Sequence, residues 1–192
     1  EEEKLNVYRY LAKIYPLIDR RAMPSKAELS DLIQGQKPGR LLDIGCGSAS
    51  IWPLWFPYEC WGIDNSPHML PNSLSGEAND RLILADAQKL PFDEPQFEIA
   101  VLSHVLSTLK DPHLAMMEVH RVLKPNGICY IQNHDSSGWN YFDRLIHPVA
   151  RCLGVKVPFE IFTYIDETLW LVENQRKIGR FSYFKLITLR KR

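Results

Sequence analysis

The sequence predicts an α/β fold: a doubly wound, mainly parallel seven-stranded sheet with an antiparallel hairpin strand at its C-terminal edge. Three observations predict it. From position 40 onward, short β-rich runs alternate with helical patterns, as they do when helices cover both faces of a parallel sheet. Five of those runs are apolar inside and polar at the carboxyl end. The last two runs are separated only by a turn near Gly179, too short for a parallel crossover. A chain of 192 residues fits one domain with a sizeable core.

The elements follow in order. In the N-terminal segment, "NVYRYLAKIYPLIDRR" aligns Val7, Leu11, Ile14 and Ile18 at helical spacing, with Arg9, Lys13, Arg20 and Arg21 on other faces. The strands are "RLLDIG" (40–45), "CWGID" (60–64), "RLILAD" (81–86), "FEIAVLS" (97–103) and "GICYIQN" (127–133). Before the fifth, Asp111 is placed to cap a helix that has Pro112 at its first position. Leu114, Met117 and Val122 read as its apolar stripe, and Lys124-Pro125-Asn126-Gly127 as its stop. After the fifth strand, Trp139, Phe142, Ile146, Val149 and Leu153 recur at helical spacing, with Pro148 bending the run. "LWLVENQRKI" and "FSYFKLITLR" then read as the closing strands, although "IDETLW" reads equally as helix.

Composition excludes several function classes. Lys plus Arg and Asp plus Glu each total 23, giving zero formal net charge and no field that attracts nucleic acid. The four cysteines, Cys46, Cys60, Cys129 and Cys152, form no C-x-x-C pair and suit a reducing cytoplasm. No run reaches the ~18 apolar residues of a membrane span, and the acidic "EEEK" start is unlike a signal peptide. A cytoplasmic protein, soluble or peripheral on a membrane face, is expected. His113 and His120 lie seven apart without a carboxylate partner or H-x-x-x-H spacing, so no metal site is assigned.

The first strand feeds "LLDIGCGSAS" (41–50). In an open α/β sheet the ligand sits beyond the carboxyl ends of the strands, where the strand order reverses. Gly45 and Gly47 allow a tight turn and a close backbone approach, ahead of an expected helix N-terminus. A dinucleotide fingerprint would place glycine at position 50, where this chain has Ser50, and the Asp43 carboxylate opposes a phosphate but favours a cation. Asp64 ends the second strand where a ribose-binding acid belongs. Asp86, with Ala87 beside it and Leu90 and Phe92 nearby, is placed to accept from an exocyclic amine. The three acid-tipped strands read as a site for a positively charged adenosine compound.

"LLDIGCGSA", "GIDNSPHML", "ADAQKLPFDEPQFEIAVLSHVL" and "EVHRVLKPNGICYI" resemble, in order and spacing, the motifs of class I S-adenosylmethionine-dependent methyltransferases. The resemblance spans residues 40–133. It implies a Rossmann-like fold, S-adenosylmethionine as cofactor, and a site in which Asp43, Gly45, Cys46 and Gly47 line the methionine part. It also implies Asp64 with Asn65 at the ribose, Asp86 and Ala87 at the adenine, and Ser103 with His104 on the sulfonium side. The chain departs from the pattern at Ala49, where many members have a third glycine, which is tolerable if that residue has ordinary helical dihedrals. It departs again in the short link between Met69 and Arg81.

A narrower likeness ties "RYLAKIYPLID", "SHVLSTLKDP", "IQNHDSSGWNYFDRLIHPVARCLG" and "RFSYFKLITLRK" to bacterial phospholipid N-methyltransferases. It implies phosphatidylethanolamine or its methylated forms as acceptor. Residues 1–35 then form a helical lid, 40–133 the cofactor core, 137–165 a substrate insertion and 169–190 the closing strands. The two amphipathic segments become docking surfaces for anionic headgroups. A lipid amine titrates near 10.4, so it must lose a proton before it attacks, and His134 is the first candidate to orient or deprotonate it, Tyr15 the second. The alternatives are a methyltransferase for a soluble small molecule or a quinone precursor, and a cofactor-binding module without transfer activity.

Overall fold

The computed structural model describes residues 26–70, 80–136, 155–178 and 184–192. Side-chain alternation sets its layers. In β1 (Arg40–Ile44) Leu41 joins one buried cluster while Leu42 and Ile44 join the other. In β4 (Phe97–Ser103) Ile99 and Val101 go one way and Ala100 and Leu102 the other. Both strands are therefore buried on two faces, as central parallel strands require. Residues 26–34 form helix α1, whose Leu29 and Ile33 cover one face. Helix α2 (Pro112–Val122) covers the other.

The remaining strands are β2 (Glu59–Asp64), β3 (Leu82–Leu84), β5 (Leu123–His134), β6 (Trp170–Ile178) and β7 (Phe184–Lys191). The seven-stranded order is β3-β2-β1-β4-β5-β7-β6. The first five neighbours run parallel, with Leu41 opposite both Cys60 and Ile99. β7 is antiparallel to β5 and to β6, so the closing hairpin inserts its second strand into the sheet and leaves β6 at the edge. The order reverses between β1 and β4, which places the ligand crevice at their carboxyl ends.

Several expectations shift. The third strand holds only Leu82–Leu84. β5 starts at Leu123, directly after α2, and the pairing slips between Phe97 and Ile99, so Lys124-Pro125-Asn126-Gly127 is an excursion at the strand's start rather than a loop before it. Asp111 caps α2 as expected, its carboxylate accepting from Leu114 N–H at 3.1 Å. The buried stripe is different: Ala115, Met116, Val119 and Val122 face the core, while Leu114 and Met117 are 43% and 49% exposed. An i, i+4, i+7 set fixes the face, and positions 114 and 117 lie off it. In "IDETLW" no α-helix forms; a 3-10 turn at Ile161–Tyr164 precedes β6. Tyr15, the N-terminal amphipathic segment and the one from Trp139 to Leu153 lie outside the described residues.

Candidate functional site

The loop after β1 turns through backbone that an L side chain resists. Gly45 and Gly47 have φ of +69° and +53°. A Cβ on Gly45 would stand 2.7 Å from Val105 Cγ2 in the loop after β4, so the absent side chain is what lets the two loops meet. Ala49 has φ of +52° and is buried. The ordinary helical dihedrals expected there are not found: the position has the conformation that suits the missing third glycine. Nor does an α-helix follow the loop. Pro53 starts a single 3-10 turn, Trp52–Trp55.

Asp43 is only 3% exposed. Its Oδ2 accepts from Trp52 Nε1 at 2.9 Å. Burial pushes its carboxyl up to about 7, while the Trp52 hydrogen bond and the positive charge of Lys26 pull the other way and Asp64 adds a smaller upward push. Gly62 makes room for this pair: a Cβ there would lie 2.6 Å from the Trp52 ring and 2.7 Å from Cys46 Sγ. Burial, reinforced by the charges of Asp43 and Asp64, keeps the Cys46 thiol protonated, so it is a lining residue rather than a nucleophile.

Asp64 ties the second strand to the glycine loop. Its Oδ2 accepts from Gly47 N–H at 3.0 Å and its Oδ1 from Ser66 N–H at 2.9 Å. Each oxygen keeps a further lone pair for a ligand hydroxyl, and burial raises its pKa. Asn65 is exposed beside it. Asp86 is also exposed, and its Oδ1 accepts from the Gln88 backbone and side chain, both at 2.9 Å, while Ala87 is buried. Leu90 and Phe92 do not flank a ligand ring. They belong to the core, where Phe92 meets Phe97 edge-on at 4.9 Å between centroids.

A recess of about 390 Å³, part of it open to solvent, lies at the tips of β1 and β4. Lys26, Asp43, Gly45, Ser50 and Ser103 are among its lining residues. The Ser103 hydroxyl is buried with no hydrogen-bond partner among the described residues, a donor left for a ligand. One buried acid and one buried cation at a shared recess match an amino-acid zwitterion: Asp43 for its ammonium and Lys26 for its carboxylate. The chain therefore fits the methionine end of S-adenosylmethionine, with Asp64 one strand over for the sugar.

The sequence reading missed Lys26 and Trp52. Lys26 sits in an ordinary helical stretch with no motif around it, whereas Trp52 lies nine residues past Asp43 and only the fold brings its ring back. Of the two catalytic candidates, Tyr15 lies outside the described residues and only His134 can be placed. His134 is 7% exposed, its Nε2 lies 2.9 Å from the Lys156 carbonyl, and its ring tilts against Phe159. A carbonyl accepts only, so Nε2 carries the ring proton and His134 clasps the segment after residue 154 to the sheet. Among the described residues no cluster of three His, Cys, Asp or Glu residues is arranged to hold a metal.

Comparison with known proteins agrees with this geometry. Residues 42–131 match the family described as "Methyltransferase domain". The chain is 30% identical over 156 residues to a 2-phytyl-1,4-naphtoquinone methyltransferase of Nostoc sp., a match covering 70% of this chain and 66% of that protein. It is 31% identical over 105 residues to a demethylmenaquinone methyltransferase of Staphylococcus carnosus, covering 50% of this chain and 43% of that one. The chain thus spans less than two thirds of the length of these relatives. In fold it is similar to a chain from the Haloferax volcanii complex of the Trm112 methyltransferase activator with a methyltransferase, at TM-score 0.77 and 16% identity over 97% of both chains. Residues 42–131 match a methyltransferase domain, and along that stretch the chain is similar to S-adenosylmethionine-dependent methyltransferases in sequence and in fold.

Proposed function

We propose that this chain methylates a quinone precursor, a prenylated naphthoquinol in its reduced, hydroxylated form. The observation that carries the enzyme reading is the buried Asp43 and Lys26 pair at the β1 and β4 tips. The acceptor class is supported by the names of the two relatives, which act on naphthoquinone and menaquinone precursors. The phosphatidylethanolamine reading loses ground, because the names of both relatives point to quinone precursors rather than a phospholipid. Among the described residues no helix is long and apolar enough to cross a membrane. Contact with an anionic membrane surface, where a prenylated quinol dissolves, stays part of this proposal, as does a cytoplasmic site of action.

When bound, S-adenosylmethionine supplies an electrophilic methyl group on a sulfonium sulfur. The residues of the chain supply alignment, which carries most of the rate in such an in-line displacement. Asp43 and Lys26 fix the methionine end, Asp64 and the Gly47 N–H that it holds fix the sugar end, and Ser103 borders the space between the β4 tip and the glycine loop. Asp86 and Ala87 complete the adenine side, with Asn65 at the rim.

The test is to incubate the protein with methyl-labelled S-adenosylmethionine and either a 2-prenyl-1,4-naphthoquinol or phosphatidylethanolamine vesicles, then extract each into organic solvent. Label in the naphthoquinol is the expected result. Label in the lipid instead restores the phospholipid reading. Binding of S-adenosylhomocysteine without transfer to either leaves a cofactor-binding module.

A further inference from the structure

His104 stands where the cavity wall and the glycine loop come together. The residue before it, Ser103, lines the recess, and the residue after it, Val105, packs into the space left by Gly45. Its own φ is +60°, a left-handed conformation that a histidine adopts only where its surroundings impose it. Here they do. The His104 N–H donates to the Gln132 carbonyl at 2.7 Å, and the ring Nε2 lies 2.9 Å from the Gln132 side-chain nitrogen. Gln132 is fully buried on β5, opposite Ser103 in the strand register. Phe184 of β7 meets the imidazole edge-on, with centroids 4.8 Å apart. The ring is thus held from two strands while remaining partly exposed next to Ser103, which lines the recess.

We propose that His104, placed by the resemblance on the cofactor's sulfonium side, is the catalytic base that takes the acceptor's hydroxyl proton. The proposal rests on the naphthoquinol reading above. The Gln132 amide presents nitrogen or oxygen to Nε2 by a half-turn that leaves its shape unchanged. With the oxygen facing the ring, Nε2–H donates to it and Nδ1 is the basic nitrogen; the same contact then holds the imidazolium after proton uptake. The titratable groups on and next to the supporting strands are engaged elsewhere: His134 with the Lys156 carbonyl, and Asp135, directly after β5, with Lys185 of β7 at 2.5 Å. Asp43 and Asp64 face the cofactor side.

The step balances without a redox partner. His104 takes the hydroxyl proton, and the electron pair released into the ring forms the new carbon–methyl bond. The sulfur–methyl bond breaks and its pair stays on sulfur. The ring carbon then loses its own proton to solvent as His104 returns the first to the oxygen, so one methyl group is gained and one proton is released.

The experiment measures kcat against pH for wild type, His104→Ala, His104→Asn and Gln132→Glu. It uses a 2-prenyl-1,4-naphthoquinol kept reduced under anaerobic conditions, with S-adenosylhomocysteine affinity measured in parallel. Wild-type kcat is expected to rise with pH to a plateau through an imidazole titration. Both His104 variants should lose about 100-fold in kcat and the acid limb, while homocysteine-nucleoside affinity stays within about twofold. Gln132→Glu puts a carboxylate on the ring and should move the acid limb up by about one pH unit, an effect that a structural role would not produce. Turnover of His104→Ala within about threefold of wild type, or an unmoved limb in Gln132→Glu, overturns the assignment. If His104→Ala no longer binds S-adenosylhomocysteine, the Gln132→Glu limb decides. A wild-type protein that never methylates the naphthoquinol overturns the acceptor reading and the base assignment with it, which is a different result from active variants.

Discussion

At the scale of single residues, Asp43 couples the site to pH. With its carboxyl raised to about 7 by burial, the cofactor-free protein carries a roughly half-ionised acid at neutral pH. An acid whose folded pKa lies above its unfolded value stabilises the fold most fully below the unfolded pKa, and that contribution is lost as pH rises through 7. The cationic methionine end requires the ionised form. Affinity for S-adenosylmethionine should therefore increase about tenfold from pH 6 to pH 8, as the ionised fraction climbs from about a tenth to about nine tenths. Calorimetry in buffers of differing ionisation enthalpy should show proton release on binding near pH 7. Asp43→Asn should flatten the pH dependence, weaken binding by about 100-fold, and raise the melting temperature more at pH 8 than at pH 5, because the loss builds up between the unfolded value of 3.8 and about 7. A pH-independent affinity in the wild type would refute this account. Asp43 and Asp64 were legible as candidates because the carboxyl ends of these strands are where an open α/β sheet places its ligand. Lys26 and Trp52 were not, since each reaches the recess through tertiary packing that no local spacing records.

At the scale of elements, the glycine loop and the loop after β4 form one joint. Gly45→Ala combines a left-handed φ with a Cβ 2.7 Å from Val105, so it should cost about 2–3 kcal/mol of stability and displace His104 along with Val105. The measurement is urea unfolding together with S-adenosylhomocysteine affinity; loss of stability with unchanged affinity would mean that the joint does not shape the site. Ala49→Gly, by contrast, places glycine where φ is +52° and should gain up to about 1 kcal/mol. Element ends were easier to read than element faces. Asp111 and Pro112 announce the start of α2 by their own chemistry, but Leu114 and Met117 are as apolar as the residues that pack. Only the sheet beneath decides which stripe is buried. The short turn after β1 was missed for a similar reason: the motif suggested a helix, and Pro53 with the Trp52 indole on Asp43 closes the chain down sooner.

At the scale of the whole molecule, the residues proposed to hold the cofactor and those that tie down residues 155–165 belong to different strands. Asp43 and Asp64 stand on the central strands β1 and β2, whose burial on both faces is the core itself, and Gly45 directly follows β1. The residues that hold the 155–165 segment stand at the end of β5 and just past it: His134 through the Lys156 carbonyl, Ser136 through Phe159 N–H, and Asp135 through Ile161 N–H and through Lys185 of β7. Ligand binding to the first group should be felt globally and loss of a tie in the second only locally. S-adenosylhomocysteine at 100 times its Kd should add about 2.7 kcal/mol, or about 5–10 °C in Tm for a chain of this size. Asp135→Asn removes the carboxylate charge 2.5 Å from Lys185, whose side chain is only 14% exposed, a change that costs several kcal/mol when it must be borne. The segment can escape much of that cost by opening while the sheet stays folded. Amides of residues 155–165 should then exchange at least about tenfold faster in Asp135→Asn, with S-adenosylhomocysteine affinity within about twofold of wild type and kcat reduced. Hydrogen exchange followed by mass spectrometry checks this directly. If Asp135→Asn instead lowers protection in β1 and β4 as much as in 155–165, the tie is part of the global core, and the acceptor side has no independent freedom to open.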